Sequence, residues 1–317
     1  MRFLVAGAGS WGTAFTHVLR ERGHDVVLAC HTREQADAIN ETGRNPRSLP
    51  GVDLRGVEAV PLGDAPADVD VVVVAVPSKA FAGVVAGLPG SAPVLSLTKG
   101  LDPGTGERLS TCVQNRPVAV LSGPNMAEEI AVGLPTAAVI ASDDGYLAGQ
   151  LQHAINSSVF RAYVNQDVIG VELCAAAKNV IALAAGAVDG LDLGDNAKAS
   201  LITRGLAEMA RLGEAAGARP ETFSGLAGMG DLIVTCWSRH GRNRHAGELI
   251  AQGRSPEDAA AEIGQTVEGL TTAPILHRLS QRLNVELPIT EGVCAVLSGQ
   301  RLTGLVSGLM GRQPTEE

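Results

Sequence analysis

The sequence predicts an α/β protein in two parts: an N-terminal doubly wound domain over residues 1–166 and an all-helical C-terminal domain over residues 167–317. Three observations predict it. First, a short apolar strand, Arg2–Ala6, runs into Gly7-Ala8-Gly9-Ser10-Trp11-Gly12, and a helical stretch follows over Thr13–Leu19. Second, strand-like runs recur at Asp25–Cys30, Val71–Val76, Pro93–Leu97, Pro117–Leu121 and Thr136–Ala141. Several are continuously apolar, as parallel strands covered on both faces are. Third, strand signals stop near Asn165. Val168–Val188 is apolar and Ala-rich, and Asp195–Ala216 is amphipathic with a cap at Asp195 or Asn196. Ser255–Ile263 follows with Ser255 as cap and Pro256 in the first helical position. Arg312–Glu317 reads as a frayed tail.

The glycines have G-x-G-x-x-G spacing between a strand and a helix, the context of a dinucleotide-binding Rossmann domain. Gly7 permits the tight turn, Gly9 lets backbone approach a pyrophosphate, and Gly12 lets the helix pack on the strand. The helix then aims its positive end at the phosphates. In NAD proteins an acidic residue about 20 positions further on binds the adenosine ribose. Here the second strand ends at Cys30 and is followed by His31-Thr32-Arg33, with Glu34 only later. His31 and Arg33 suit a 2′-phosphate, which favours NADP over NAD; as plain loop residues they would leave NAD open.

Composition narrows the class. A net charge of −9 argues against general nucleic-acid binding while allowing a local basic pocket. Aromatic residues make up only 3% of the chain, so its cores must be built from Ala, Val, Leu and Ile. Cys30, Cys112, Cys174, Cys236 and Cys294 are scattered, so neither a disulfide framework nor a zinc or other metal site is expected, and a reducing cytoplasm fits. No run approaching 18 apolar residues is read, so no membrane span is expected, and the N-terminus lacks a signal-peptide pattern.

Candidate chemistry lies in four segments. Lys178 sits in Cys174–Ala182, where its neighbours three and four positions away cannot pair with an ammonium. Burial without an ion pair would lower its pKa and make it a proton donor or acceptor; a packed stem with a solvated head is the alternative. Lys99, in Thr98-Lys99-Gly100, and the segment Ser122–Glu129 both follow strand ends, where ligands bind in such sheets. Asn125 there reads as an N-cap with Glu128 as its capping-box partner. Asp231, in an apolar Gly-rich run, needs a cation if buried, with Lys178 a candidate and an Asx turn the alternative. Arg239–His245 is the densest basic cluster, suited to a phosphate or, more blandly, to a solvated face.

In this order the segments resemble the soluble, bacterial NAD(P)-dependent glycerol-3-phosphate dehydrogenases. The likeness rests on G-x-G-x-W-G-T-A at Gly7–Ala14, T-K-G at Thr98–Gly100, G-P-x-x-A-E-E at Gly123–Glu129 and K-N-V-I-A at Lys178–Ala182. It continues through Asn196–Ala199, T-R-G at Thr203–Gly205, G-D-L at Gly230–Leu232, T-C at Thr235–Cys236, R-N-R at Arg242–Arg244 and V-E-G at Val267–Gly269. The resemblance implies hydride exchange between NAD(P)H and dihydroxyacetone phosphate, giving sn-glycerol 3-phosphate for glycerophospholipid synthesis. It implies Lys178 as general acid/base and Lys99 as a contact to substrate and nucleotide. Asn179, Asp231 and Thr235 would complete the polar shell, with Gly123 and Asn125 beside the substrate. Arg242 and Asn243 would hold the phosphate next to Gly241. Ser10, Trp11, His31, Arg33 and Ala127 would line the cofactor site, which Arg242, Thr266 and Glu268 reach from the helical domain. Gly241 replaces the family's usual Ser, Asn125 its Ser or Thr, and Thr266 its Val. Lys198 gains no role from the likeness, and a homodimer is what it suggests. A β-hydroxyacid dehydrogenase and a catalytically silent dinucleotide sensor are the alternatives.

Overall fold

The computed structural model describes residues 1–300 and Leu302, so the expected tail at Arg312–Glu317 lies outside the described residues. The N-terminal half runs β1 (Arg2–Ala6), α1 (Ser10–Glu21), β2 (Asp25–Cys30), α2 (Arg33–Thr42), β3 (Glu58–Pro61) and β4 (Val71–Val74). It continues α3 (Ser78–Ala86), β5 (Val94–Ser96), β6 (Val118–Ser122), α4 (Ala127–Ala131), β7 (Thr136–Ala141), α5 (Gly145–Ile155) and β8 (Phe160–Asn165). All eight strands form one sheet in the order β3-β2-β1-β4-β5-β6-β7-β8. The strands are parallel except at the β6–β7 pair. That antiparallel pair departs from a purely doubly wound pattern. The segment joining the two strands holds only the short α4, not a helix long enough to span the sheet and return the chain in parallel.

Side chains alternate across the covered strands and build a core on each face. Phe3 and Val5 of β1 pack with Phe15 of α1 and Leu151 of α5. Leu4 and Ala6 point the other way, toward Phe81 and Val85 of α3. Two strands were not expected, β3 and β8, and these are the sheet's two edges. In β8 Phe160 and Ala162 are buried while Arg161 and Tyr163 face out, so its apolar signal is halved. β3 has four residues and ends at Pro61, which an edge strand tolerates.

The second half is helical: α6 (Val168–Gly190), α7 (Gly194–Ala215), α8 (Pro220–Ser224), α9 (Asp231–Trp237), α10 (Arg242–Ala251), α11 (Pro256–Ile263), α12 (Glu268–Leu283) and α13 (Pro288–Leu297). α7 starts at Gly194 without a side-chain cap, which corrects the cap expected at Asp195 or Asn196; Asp195 lies inside the first turn instead. Ser255 does cap α11, its Oγ accepting from the Asp258 amide at 3.0 Å.

α6 is the central helix. It is long and apolar enough to cross a membrane by length and composition, with a mean hydropathy of 1.7 in its most apolar window. This corrects the expectation that no segment reaches that limit. Its burial among the other helices explains the composition, since 89% of that window is covered by protein. α10 lies against it almost backbone to backbone. A Cβ on Gly186 would fall 1.7 Å from the Arg244 carbonyl oxygen, and one on Gly247 would fall 1.9 Å from that of Leu183. Glycine is the only residue that permits this approach.

Candidate active site

A cleft of about 460 Å³ opens between the carboxyl ends of the strands and the helical half. A separate groove between α6, α10 and α13 is lined almost wholly by apolar side chains such as Leu183, Ile250 and Val293, so the chemistry belongs to the cleft.

Asp231 is the centre of the site. It opens α9, is 1% exposed, and receives cations from both halves of the chain. Lys178 of α6 donates to Asp231 Oδ1 at 2.5 Å and to Thr235 Oγ at 2.9 Å. Lys99, just past β5, donates to Asp231 Oδ2 at 2.7 Å and to the Gly123 carbonyl at 3.1 Å. Ser122, at the end of β6, donates its hydroxyl to the same Oδ2 at 3.2 Å. Thr235 closes the group by donating to the Asp231 carbonyl one turn back, at 2.6 Å. Asp231 is therefore paired and is no Asx turn. Lys178 is buried, as expected, and it is the cation expected for Asp231, 53 residues away, so it is not without an ion pair.

The charges explain the titration. Burial pushes Lys178 down to about 7, against the opposing pull of Asp231 and with help from the Lys99 ammonium. Burial alone would raise the Asp231 carboxyl, but the Lys178 and Lys99 ammoniums outweigh it and hold the carboxyl below its usual range. Two ammoniums share one carboxylate, so Lys178 can release its proton and leave a neutral Lys99–Asp231 pair behind.

Asn179 and Asn243 are tied together. Asn243 donates to Asn179 Oδ1 at 2.9 Å, and its own oxygen accepts from the Gly269 amide at 2.9 Å. Arg242 donates to the Thr266 carbonyl at 3.0 Å. That contact uses backbone, so the exchange of Val for Thr at 266 leaves it intact. Gly241 is tightly enclosed: a Cβ there would lie 2.8 Å from the Thr235 carbonyl oxygen. The missing Ser hydroxyl thus accompanies a loop with no room for it.

The glycine loop occupies the cleft's other end. Gly7 has a φ of +118°, and a Cβ on it would fall 2.4 Å from the Ala75 oxygen. A Cβ on Gly12 would fall 1.8 Å from the Gly7 oxygen, whereas Gly9 faces open space. α1 begins at Ser10, earlier than Thr13, and no side chain caps it, which leaves its first amides available to an anion. Trp11 stacks edge-on against Phe15, and its buried Nε1 has no partner among the described residues.

Asn125 does not cap a helix. α4 starts at Ala127 after Met126, and the Asn125 amide turns back to donate to the Ala137 carbonyl at 3.1 Å. The β7 backbone outcompetes the helix end, and the Asn125 Oδ1 is left buried without a partner. Glu268 opens α12 and crosses to the sheet half, accepting from the Ser78 amide at 3.0 Å and hydroxyl at 2.6 Å.

The cleft brings together Gly9, Ser10, Trp11, Lys99, Asn125, Ala127, Lys178, Asn179, Thr235, Gly241, Arg242, Asn243, Thr266 and Glu268. Asp231 and Gly123 stand behind the lysines, and Gly7 and Gly12 shape the loop from below. His31 and Arg33 are not drawn into the cleft; both are exposed at the end of β2, where Arg33 pairs with Asp64 at 2.7 Å. Ser78 and Arg47 have no counterpart among the sequence candidates, and Ser122 enters them only as the start of the 122–129 segment. Arg47 lines the cleft from the loop after α2. Its turn is held by Asn45, which donates to the Ala8 carbonyl and Thr13 hydroxyl at 2.9 Å each. No local periodicity marks such a loop residue.

Family models for the NAD-dependent glycerol-3-phosphate dehydrogenase N-terminus and C-terminus match residues 3–148 and 167–303. The chain belongs to the NAD-dependent glycerol-3-phosphate dehydrogenase family. A Bacillus cereus relative, glycerol-3-phosphate dehydrogenase [NAD(P)+], is 44% identical across 98% of this chain and 96% of its own length. The crystal structure of the Coxiella burnetii glycerol-3-phosphate dehydrogenase superposes with a TM-score of 0.94 at 37% identity, covering 98% of this chain and 99% of that one. The Saccharomyces cerevisiae family member gives 0.84 at 27% identity, again covering 98% and 99%.

Proposed function

We propose that this chain catalyses NAD(P)-linked interconversion of dihydroxyacetone phosphate and sn-glycerol 3-phosphate, feeding glycerophospholipid synthesis. The observation that carries it is the Lys99–Asp231–Lys178 group opening into the same cleft as Arg242, Asn243 and the glycine loop. The uncapped α1 amides, the open space at Gly9 and the orphaned Trp11 Nε1 fit a dinucleotide there. When bound, the dinucleotide supplies or accepts the hydride.

Lys178 supplies the proton to the carbonyl oxygen during reduction and takes it back from the hydroxyl during oxidation. Its depressed pKa suits both directions near neutral pH. Asp231 holds the Lys178 ammonium in place, and Thr235 fixes its direction. Arg242 and Asn243 hold the phosphate, with Asn179 orienting Asn243 through their amide bond. Lys99 carries charge to the substrate side of the site.

NADP is the favoured cofactor, with NAD accepted. His31 and Arg33 lie at the end of β2, where an NAD-specific carboxylate would stand, and Arg47 lines the cleft from the loop after α2. The Arg33–Asp64 pair is exposed and so weak enough to yield to a 2′-phosphate. Arg33→Ala is expected to lower the NADPH-to-NADH ratio of kcat/KM about tenfold; an unchanged ratio removes Arg33 from recognition. The domain boundary is taken at 166/167, between β8 and α6. A cytoplasmic homodimer completes the proposal, from the five free cysteines and the family likeness respectively.

The test follows NADPH oxidation with dihydroxyacetone phosphate beside unphosphorylated dihydroxyacetone. No turnover of the phosphorylated ketone across pH would sink the proposal. Arg242→Ala should raise its KM roughly 10- to 100-fold through lost charge-assisted hydrogen bonds, and an unaltered KM would exclude Arg242 from the phosphate.

A further inference from the structure

Lys198 belongs to a sequence segment that the reaction above does not use. It is 6% exposed on α7, with its Nζ 2.8 Å from Asp189 Oδ2 and 4.9 Å from the centre of the Trp237 ring. The same Asp189 oxygen accepts from Arg244 Nη1 at 2.9 Å. Arg244 also donates to Glu248 at 2.9 Å and, through Nε, to the Ser238 carbonyl at 3.2 Å. One carboxylate thus gathers α6, α7 and α10, with Trp237 bringing in the end of α9.

Three of these helices carry the polar residues of the cleft. α6 bears Lys178 and Asn179, α9 bears Asp231 and Thr235, and α10 bears Arg242 and Asn243. Arg244 stands two residues past Arg242, and Asp189 stands at the far end of the helix that carries Lys178. The contact between α6 and α10 runs through Gly186 and Gly247. These glycine notches seat the two backbones against each other along the middle of the contact, but they do not orient the long polar side chains at its end. A largely covered Lys198 and Arg244 meeting one partly exposed carboxylate at that end give it a preferred geometry.

We infer that Asp189 is a positioning residue for the reaction. With Lys198 and Arg244 as counter-ions it ties the first turn of α10 to the end of α6, and so holds Arg242 and Asn243 in place relative to Lys178. The clamp on Ser238 extends this to the 238–241 loop, where Gly241 offers no hydroxyl to the phosphate. The inference rests on the proposed reading of Arg242 and Asn243 as the phosphate site.

Asp189→Asn keeps the shape and removes the charge. Its KM for dihydroxyacetone phosphate should rise about tenfold, a change of about 1.4 kcal/mol. Its kcat should stay within about threefold, and the Kd of NADPH, read by fluorescence titration, should not move. A purely structural role would instead lower Tm and active fraction at constant KM. Lys198→Met, which keeps the stem and loses the charge, should shift KM in the same direction and decides the matter if Asp189→Asn does not fold. KM unchanged in the variant that folds, beside an active wild type, overturns the positioning role alone. A wild type that turns over no dihydroxyacetone phosphate overturns the functional reading beneath it.

Discussion

Lys178→Met is expected to lower kcat roughly 100- to 10,000-fold while leaving the Kd of NADPH unchanged. Methionine fills the lysine stem's volume in α6, so no cavity opens beneath the cleft. Asp231 keeps Lys99 as its counter-ion at 2.7 Å, so no bare carboxylate is left in the interior. The loss should therefore be in the chemical step and not in folding. Steady-state rates, NADPH fluorescence titration and a melting curve check this together. A variant that keeps a tenth or more of the wild-type rate would remove Lys178 as the acid/base. A variant that also loses NADPH binding would show a role in assembling the cleft.

Sequence patterns disclosed the fold unevenly, and for a physical reason. The strands that were legible, such as β1, β2 and β7, are covered on both faces and so read as apolar runs. The strands that were not, β3 and β8, are the sheet's edges, one short and the other apolar on one face only. The antiparallel turn at β7 was hidden because direction follows from what fills the connection, not from the strand's own residues.

The site was legible where a residue was anomalous in its own surroundings. Lys178 stood out as a cation in an apolar helix, and Asp231 as an anion in a Gly-rich run. Their partnership could be guessed because each lacked a local mate. The pairing of Lys99 with the same carboxylate could not, since a lysine after a strand has many ordinary uses. The capping box at Asn125 is a local pattern, and it loses to the Ala137 carbonyl, which arrives from a neighbouring strand. Ser78 carries no signal, and Ser122 only its place at a strand end; they matter because another half of the chain brings Glu268 and Asp231 to them.

The shared carboxylate makes a second large effect calculable in sign. Reduction requires Lys178 to hold its proton, so the wild-type rate should fall as pH rises through about 7, and oxidation should rise over the same range. Asp231→Asn removes the carboxylate that favours the charged lysine, while burial and the Lys99 ammonium still oppose it. The Lys178 pKa should then fall by roughly 1 to 3 units, the range an adjacent opposite charge commands. The alkaline fall of the reductive rate moves to lower pH by that amount, and the rate at pH 7 drops about tenfold or more. A buried Lys178 and a partly buried Lys99 without a carboxylate also destabilise the fold, by about 3–5 kcal/mol. Because one of them can shed its proton, stability should recover partly as pH rises, since the unfolded chain then binds more protons than the folded one. Rate profiles and melting curves from acid to alkaline pH read both effects. If the fall in rate stays where the wild type has it, Asp231 does not control the Lys178 proton and another group sets the profile.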